Sequence, residues 1–406
     1  MLDELMRAFE GDGAVVAGVL SGTSADGITV VLARMQAKQR TLARPELVAC
    51  ETLAFPGDLA TRVRAVLDGA PSGLRETALL SRDLGRAFGA AARAVARARR
   101  MHLDLVASHG QTVWHHDGCE ESGAATLQLG DGDFAAEAAG CTVVSDFRQR
   151  DIAAGGEGAP LSALADGSIF ANVERPCAIL NLGGIGNLTW LGEDDDDVIA
   201  FDTGPANSLL DGIARRVFDR PFDADGALAA RGRADPRLVR ELAAHPFLAK
   251  KPPRSTGRDT FGETWVSGVI ERARALGMLA ASNGACDLMA SAVELVAACV
   301  VRSLDDHVPG KVGRLIVAGG GAQNRALMAA LERASGLAIV PSDEVGVPAH
   351  AREGLVFAVL GARCVLGMPS THPGATGARR GRVLGKVSHP PAAEPAAPRA
   401  ARGRRA

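Results

Sequence analysis

The chain has 406 residues, 47% of them hydrophobic and 23% charged, with a formal net charge of -2 at pH 7. That composition excludes a disordered chain, and the charge balance leaves no basic field of the kind that draws nucleic acid. The length exceeds one ordinary core, so two domains are expected.

The opening segment, MLDELMRAFEGDG, is acidic and lacks the basic-then-apolar order of a secretory leader. No run of eighteen apolar residues follows anywhere, so no membrane span is expected and the protein reads as soluble and cytoplasmic. AVVAGVLSGTSADGITVVLARM places two apolar runs around a Ser/Gly/Thr/Asp cluster, predicting strand, loop, strand. RETALLSRDLGRAFGAAARAVARARR predicts a long helix, and LDLVASHGQT a strand and turn. AAEAAG is a short helical piece, and CTVVSDFR a further strand.

A similar layout restarts at Cys177. CAILNLGGIGNLTWLG predicts strand, glycine loop, strand, and DVIAFDTGPANSLLDGIARRVF strand, turn, helix. CDLMASAVELVAACVVRSLDDHV predicts a helix. GRLIVAGGGAQNRALMAAL predicts strand, triple glycine, helix, and AREGLVFAVLGARCVLG a last helix. The repeated layout predicts two related α/β halves with a cleft between them. Residues 13–165 form the first lobe and 166–350 the second. Residues 351–386 supply a final helix and strand that pack back on the first lobe. Residues 387–406 form a Pro/Ala/Arg tail expected to be disordered. The seven cysteines have no CxxC spacing and read as small core residues. GEDDDD, between two strands, reads as a solvated hairpin loop.

Three glycine loops carry the chemistry. Phosphates need backbone N–H groups at close range, and glycine loops after strands supply them. The first loop is Ser21, Gly22, Thr23, Ser24, Ala25, Asp26 and Gly27; the second holds Gly183 and Gly184; the third holds Gly319, Gly320, Gly321 and Asn324. None fits the P-loop pattern. Two of them lie in hairpins at equivalent places in the two halves, which suits an ATPase clamp. Asp26 is either a carboxylate for Mg2+ or the turn residue of a tight hairpin.

In order along the chain run GVLSGTSADG, ASHGQTVWH, LQLG, VVSDFRQRDIAAGGEGAPL, LNLGGIGNLT, FDTGPAN, STGR, VAGGGAQN, DEVGVP, EGLVFAVLG and TGARRGRVLGK. This series resembles the anhydro-N-acetylmuramic acid kinase family of the hexokinase/actin-like ATPase superfamily, over Val15 to Lys386. The resemblance implies two ribonuclease-H-like lobes around a cleft, a small anhydrosugar substrate, ATP with Mg2+ at Asp26, and a homodimer. It also implies water attack on the 1,6-anhydro bridge and phosphoryl transfer to the freed O6. Asp202 matches the family's catalytic base; from position alone it reads instead as an Asx turn or helix cap. Arg150, Thr112, Gln128 and Glu353 match sugar-binding positions. His109 and His115 are read as structural hydrogen-bonding residues.

The chain departs from the family pattern at Ala25, Thr29, Asp131, Glu157 and Ala206. Asp131 and Glu157 stand where amides are expected, and two carboxylates facing an anionic lactyl group would repel it. That favours a neutral anhydrosugar such as levoglucosan as an alternative substrate. A non-catalytic nucleotide or sugar binder is the alternative outside the enzyme class.

Overall fold

The computed structural model describes residues 2–391 except 23–24, 40, 117, 119–122 and 195–196, and the side chains at 258–259. Thr23, Ser24, Cys119 and the tail from residue 392 therefore lie outside the described residues. The first sheet uses β1 (Ala14–Leu20), β2 (Ile28–Met35), β5 (Glu46–Leu53), β6 (Leu105–His116), β7 (Ala125–Leu129) and β8 (Thr142–Ser145); β3 (Ala37–Lys38) and β4 (Thr41–Leu42) form a separate ribbon. The second sheet uses β9 (Cys177–Leu182), β10 (Ile185–Leu191), β11 (Val198–Pro205), β12 (Arg314–Ala318) and β13 (Ala338–Pro341). The last strand, β14 (Lys386–Ser388), returns to the first sheet beside β8. It runs two residues beyond the expected end of that segment at 386.

Leaving out β14 and β7, the first sheet has the order β8-β6-β1-β2-β5, and the second reads β13-β12-β9-β10-β11. In each, the first three strands form an antiparallel meander and the next two run parallel to its first strand. The two lobes thus share one topology, the two-lobed α/β architecture that the sequence predicts. β1 and β9 sit centrally and are buried along their whole length. Both faces being covered explains their unbroken apolar composition.

Several elements differ from expectation. DFR does not extend β8 but opens a helix, Phe147–Ala153. HGQT does not turn; β6 runs through it and shifts register near Gly110, which carries its second half over to β7. The expected lobe boundary contains a helix, Ala163–Ile169. The helix Gly284–His307 has an 18-residue window of mean hydropathy 1.8, long and apolar enough to cross a membrane, which a search for unbroken apolar runs overlooks. That window is 72% buried inside the second lobe, as suits a core helix. The six described cysteines are unpaired.

The helix Arg352–Val365 packs on β1, β2 and β6. Its approach is close: a Cβ on Gly354 would meet Val31 Cγ2 at 2.2 Å, and one on Gly18 would meet the Gly354 carbonyl oxygen at 1.9 Å. Only glycine at both positions permits that packing. The same helix touches Ala163–Ile169, which lies against β10 and β11. One core therefore joins the facing sides of both sheets, from Val16 and Ala107 through Leu355 and Ala165 to Ile179 and Ala200.

A buried ion pair locks this junction. Arg352 Nε donates to Asp166 Oδ1 at 3.0 Å and Nη2 to Oδ2 at 2.5 Å, while Thr189 Oγ1 of β10 donates to Oδ2 at 2.7 Å. The two charged side chains are 2% and 0% exposed. Removing one partner leaves an uncompensated buried charge. Arg352→Met should lower the unfolding free energy by about 3–5 kcal/mol, measured by urea denaturation, and Asp166→Leu added to it should restore much of the loss. A single-variant loss below about 1 kcal/mol would show that the pair does not hold the junction.

Candidate active site

Asp202 lies three residues before the end of β11, not at a strand end. Asn187 of β10 faces Asp202 and Gly186 faces Gly204, so Thr203 is an extra residue, a β-bulge. Bulges re-aim neighbouring side chains, and here the bulge adjoins the one acid of an otherwise apolar strand. Asp202 is 7% exposed. Its Oδ2 accepts the Thr256 amide hydrogen at 2.8 Å. Burial pushes its pKa up to about 7, with Glu157 pushing the same way; the Thr256 amide, Arg254 and Arg148 oppose the shift.

Arg254 fixes the backbone around this acid. Its Nε donates to the Asp202 carbonyl at 2.9 Å, and the Asp202 amide donates back to the Arg254 carbonyl at 3.1 Å. The guanidinium also donates to Lys250 O at 2.8 Å and Ser303 Oγ at 2.8 Å. It lies between the rings of Phe201 and Phe247, 5.3 Å from each centroid. A planar cation with a fixed fork suits this site, and a lysine could not reproduce it.

The first lobe presents Arg148. Its Nε donates to His109 Nε2 at 3.1 Å and its Nη1 to the Gly158 carbonyl at 2.8 Å. Nη2 makes no hydrogen bond among the described residues. Asp202, Glu353 and Asp151 all act on its charge. Burial, with the Arg148 charge beside it, lowers the His109 pKa well below the usual value, so the ring is neutral and its Nε2 lone pair is engaged. That engagement suits a structural role for His109.

Other predicted sugar residues fall as follows. Arg150 is exposed on the far side of its helix; the arginine of that segment facing Asp202 and Glu353 is Arg148. The helical period carried the signal, since Phe147, Arg148 and Asp151 share one face and Arg150 lies off it. Glu353 is exposed in the first turn of its helix, next to the anchored Arg352. Gln128 Nε2 donates to Thr112 Oγ1 at 3.2 Å, and Gln149 Nε2 ties the helix to the same hairpin through Thr126 O at 2.7 Å. Gln128 Oε1 is buried with no partner among the described residues. Asp131 has a local partner: its side chain caps the helix Gly132–Ala139 by accepting from the Asp133 and Phe134 amides. Thr29 meets Thr52 across the sheet, and Ala206 is buried before the helix Asn207–Phe218.

The glycine loops assemble through local contacts. Gln111 Nε2, which the sequence reading passed over, donates to Gly22 O at 3.3 Å, and Arg64 Nη2 to Ala25 O at 3.4 Å. Gly27 is buried beside β5, while Ser21 Oγ is buried without a partner among the described residues. Gly183 O accepts from the Asn207 amide and Gly184 O from the Ser208 amide, at 2.9 and 3.0 Å. The third loop packs on the end of β9: a Cβ on Gly319 would meet Leu182 O at 2.7 Å, and Gly319 holds φ at +81°. Gly320 and Gly321 lie beside the Asn207 side chain, which donates to Leu182 O at 2.9 Å. Asn324 is spent otherwise; its Oδ1 accepts from Leu327 N at 3.0 Å and caps the helix Arg325–Ser335.

Asp26 is an exposed carboxylate on the first loop whose one ion contact among the described residues is Arg64 at 3.9 Å. Among the described residues no three acidic, histidine or cysteine side chains cluster to hold a metal. A single accessible carboxylate fits Mg2+, which takes one or two protein oxygens with phosphates and water, and does not fit an all-protein cage.

Comparisons with known proteins converge. A family model described as anhydro-N-acetylmuramic acid kinase matches residues 14–390. A protein of that name from Xanthomonas oryzae pv. oryzae is 39% identical, covering 93% of this chain and 97% of the relative. One from Gloeobacter violaceus is 37% identical over 93% and 99%, and one from Caldanaerobacter subterraneus subsp. tengcongensis 32% over 95% and 100%.

The raised Asp202 pKa has a consequence for stability. Between about pH 4 and 7 the folded chain binds more protons at this site than the unfolded chain, so its stability falls as pH rises through that window. Asp202→Asn should therefore be more stable than the parent above pH 7, by about 2–4 kcal/mol, and equal to it below about pH 4. Chemical denaturation at several pH values tests this; a variant less stable at pH 8 would contradict the burial argument.

Proposed function

The chain belongs to the anhydro-N-acetylmuramic acid kinase family, and on that premise we propose how its cleft opens and phosphorylates the anhydrosugar. The reaction consumes 1,6-anhydro-N-acetylmuramic acid, water and ATP, and yields N-acetylmuramic acid 6-phosphate and ADP. Asp202, as carboxylate, takes a proton from water as the water oxygen bonds to C1. The C1–O6 bond breaks and its electron pair goes to O6. O6 then bonds to the γ-phosphorus as the bond to the ADP oxygen breaks.

The carrying observation is the state of Asp202: buried, aimed by a bulge, held by one amide, with a pKa of about 7. A general base works best with a pKa near the working pH. Arg148, with Nη2 unengaged among the described residues, is the cation placed to meet the lactyl carboxylate, and this reading replaces Arg150 in that role. Glu353, Thr112 and Gln128 supply acceptors and donors for the sugar. Ser21, Gly22, Gly183, Gly184 and Gly319–Gly321 form the phosphate side. Asp26 would hold Mg2+, which when bound neutralises phosphate charge. The name shared by the relatives favours this substrate over a neutral anhydrosugar, and a kinase over a non-catalytic binder. A homodimer in the cytoplasm completes the proposal; analytical ultracentrifugation tests the dimer.

Mass spectrometry of a mixture of protein, ATP, Mg2+ and 1,6-anhydro-N-acetylmuramic acid should show the 6-phosphate, and far less product with levoglucosan. Asp202→Asn should reduce kcat by roughly a hundred- to ten-thousand-fold while ATP still binds. Turnover within tenfold of the parent would remove Asp202 as the base.

A further inference from the structure

Two carboxylates meet one dipeptide at the lobe junction. Ser255 Oγ donates to Glu157 Oε2 at 2.7 Å, and the next residue, Thr256, donates its amide to Asp202 Oδ2 at 2.8 Å. Glu157 belongs to the first lobe's loop and Ser255 to the second lobe's. The Glu157 loop is rigidly founded. Asp151, buried beneath it, accepts from Gly158 N at 2.8 Å and Thr376 Oγ1 at 2.7 Å, and the Glu157 amide donates to Thr376 O at 2.9 Å.

We propose that Glu157 is a positioning residue for the reaction: held by Ser255, its charge strengthens Asp202 as a base, and its hydrogen bond joins the sugar-side lobe to the segment that orients that base. The proposal rests on the function proposed above. A glutamine at this position could accept the same hydrogen bond from Ser255, so the charge is a separate variable from the latch. The charge matters because the site is water-poor, where a neighbouring anion disfavours a second one. Among the described residues, the charged groups acting on Asp202 are Glu157, Arg254 and Arg148. Arg254 lies on its own segment and carries His307 at 3.1 Å. Arg148 approaches from the helix Phe147–Ala153, itself under the influence of Glu353 and Asp151. Of the groups acting on Asp202, Glu157 is the acid and both arginines oppose it. The consequence is a base matched to neutral pH instead of one fully ionised and weak.

Two variants separate charge from latch. In Glu157→Gln the acidic limb of the kcat/KM profile should move to lower pH by about half a unit or more. Ser255→Ala should lower kcat while moving that limb less. Carbon-13 NMR of aspartate-labelled protein, with the Asp202 signal assigned by its loss in Asp202→Asn, should show the same order of midpoints without any turnover. An unmoved Asp202 midpoint in Glu157→Gln overturns the proposal, as does an equal shift in Ser255→Ala. If the parent fails to phosphorylate the anhydrosugar, the functional reading falls, and the NMR titration still decides the coupling.

Discussion

The bidentate contact between Arg352 and Asp166 is the constraint on which the molecule depends. It joins the helix that covers the first sheet to the short helix that covers the second, and Thr189 extends it into β10. Burying two charges is costly unless their hydrogen-bonding groups are met. Both carboxylate oxygens of Asp166 are met here. The pair also sets where the next residue goes. With Arg352 committed inward, Glu353 is left at the cleft, within reach of Arg148.

A second buried arginine does for the chemistry what the first does for the lobes. Arg254 holds the Asp202 backbone from both sides and rests between two phenyl rings. The segment it anchors continues into Ser255 and Thr256, which reach Glu157 and Asp202. In the proposed reaction, rigidity of the backbone here is what lets Asp202 keep its geometry as a general base. The cost appears as the unfavourable burial of the Asp202 charge. On the proposed function, activity and stability oppose each other at this residue.

Much of the fold was legible. The hairpins around SGTSADG and NLGGIGN, the helix Leu74–Ala98 and the alternation of both halves follow from apolar periodicity and glycine placement. The misreadings share a cause. HGQT looks like a turn because of its glycine, yet β6 continues because β7 is there to pair with it. DFR looks like strand continuation, yet the chain enters a helix that packs on the β6–β7 hairpin. Ala163–Ile169 looks like a linker because its residues are small, yet it packs between the helix Arg352–Val365 and the strands β10 and β11. In each case a distant partner decided a locally ambiguous segment.

The order of motifs along the chain determined the family and the two-lobed α/β class, and it singled out the acid in FDTGPAN as the candidate base. Those are properties of local pattern and spacing. Which arginine of DFRQRD faces that acid, that Asp131 caps a helix while Glu157 reaches Ser255, and that Arg352 meets Asp166 were decided only by the tertiary structure. Charge interactions depend on separation in space and on burial, and neither quantity is a function of distance along the chain.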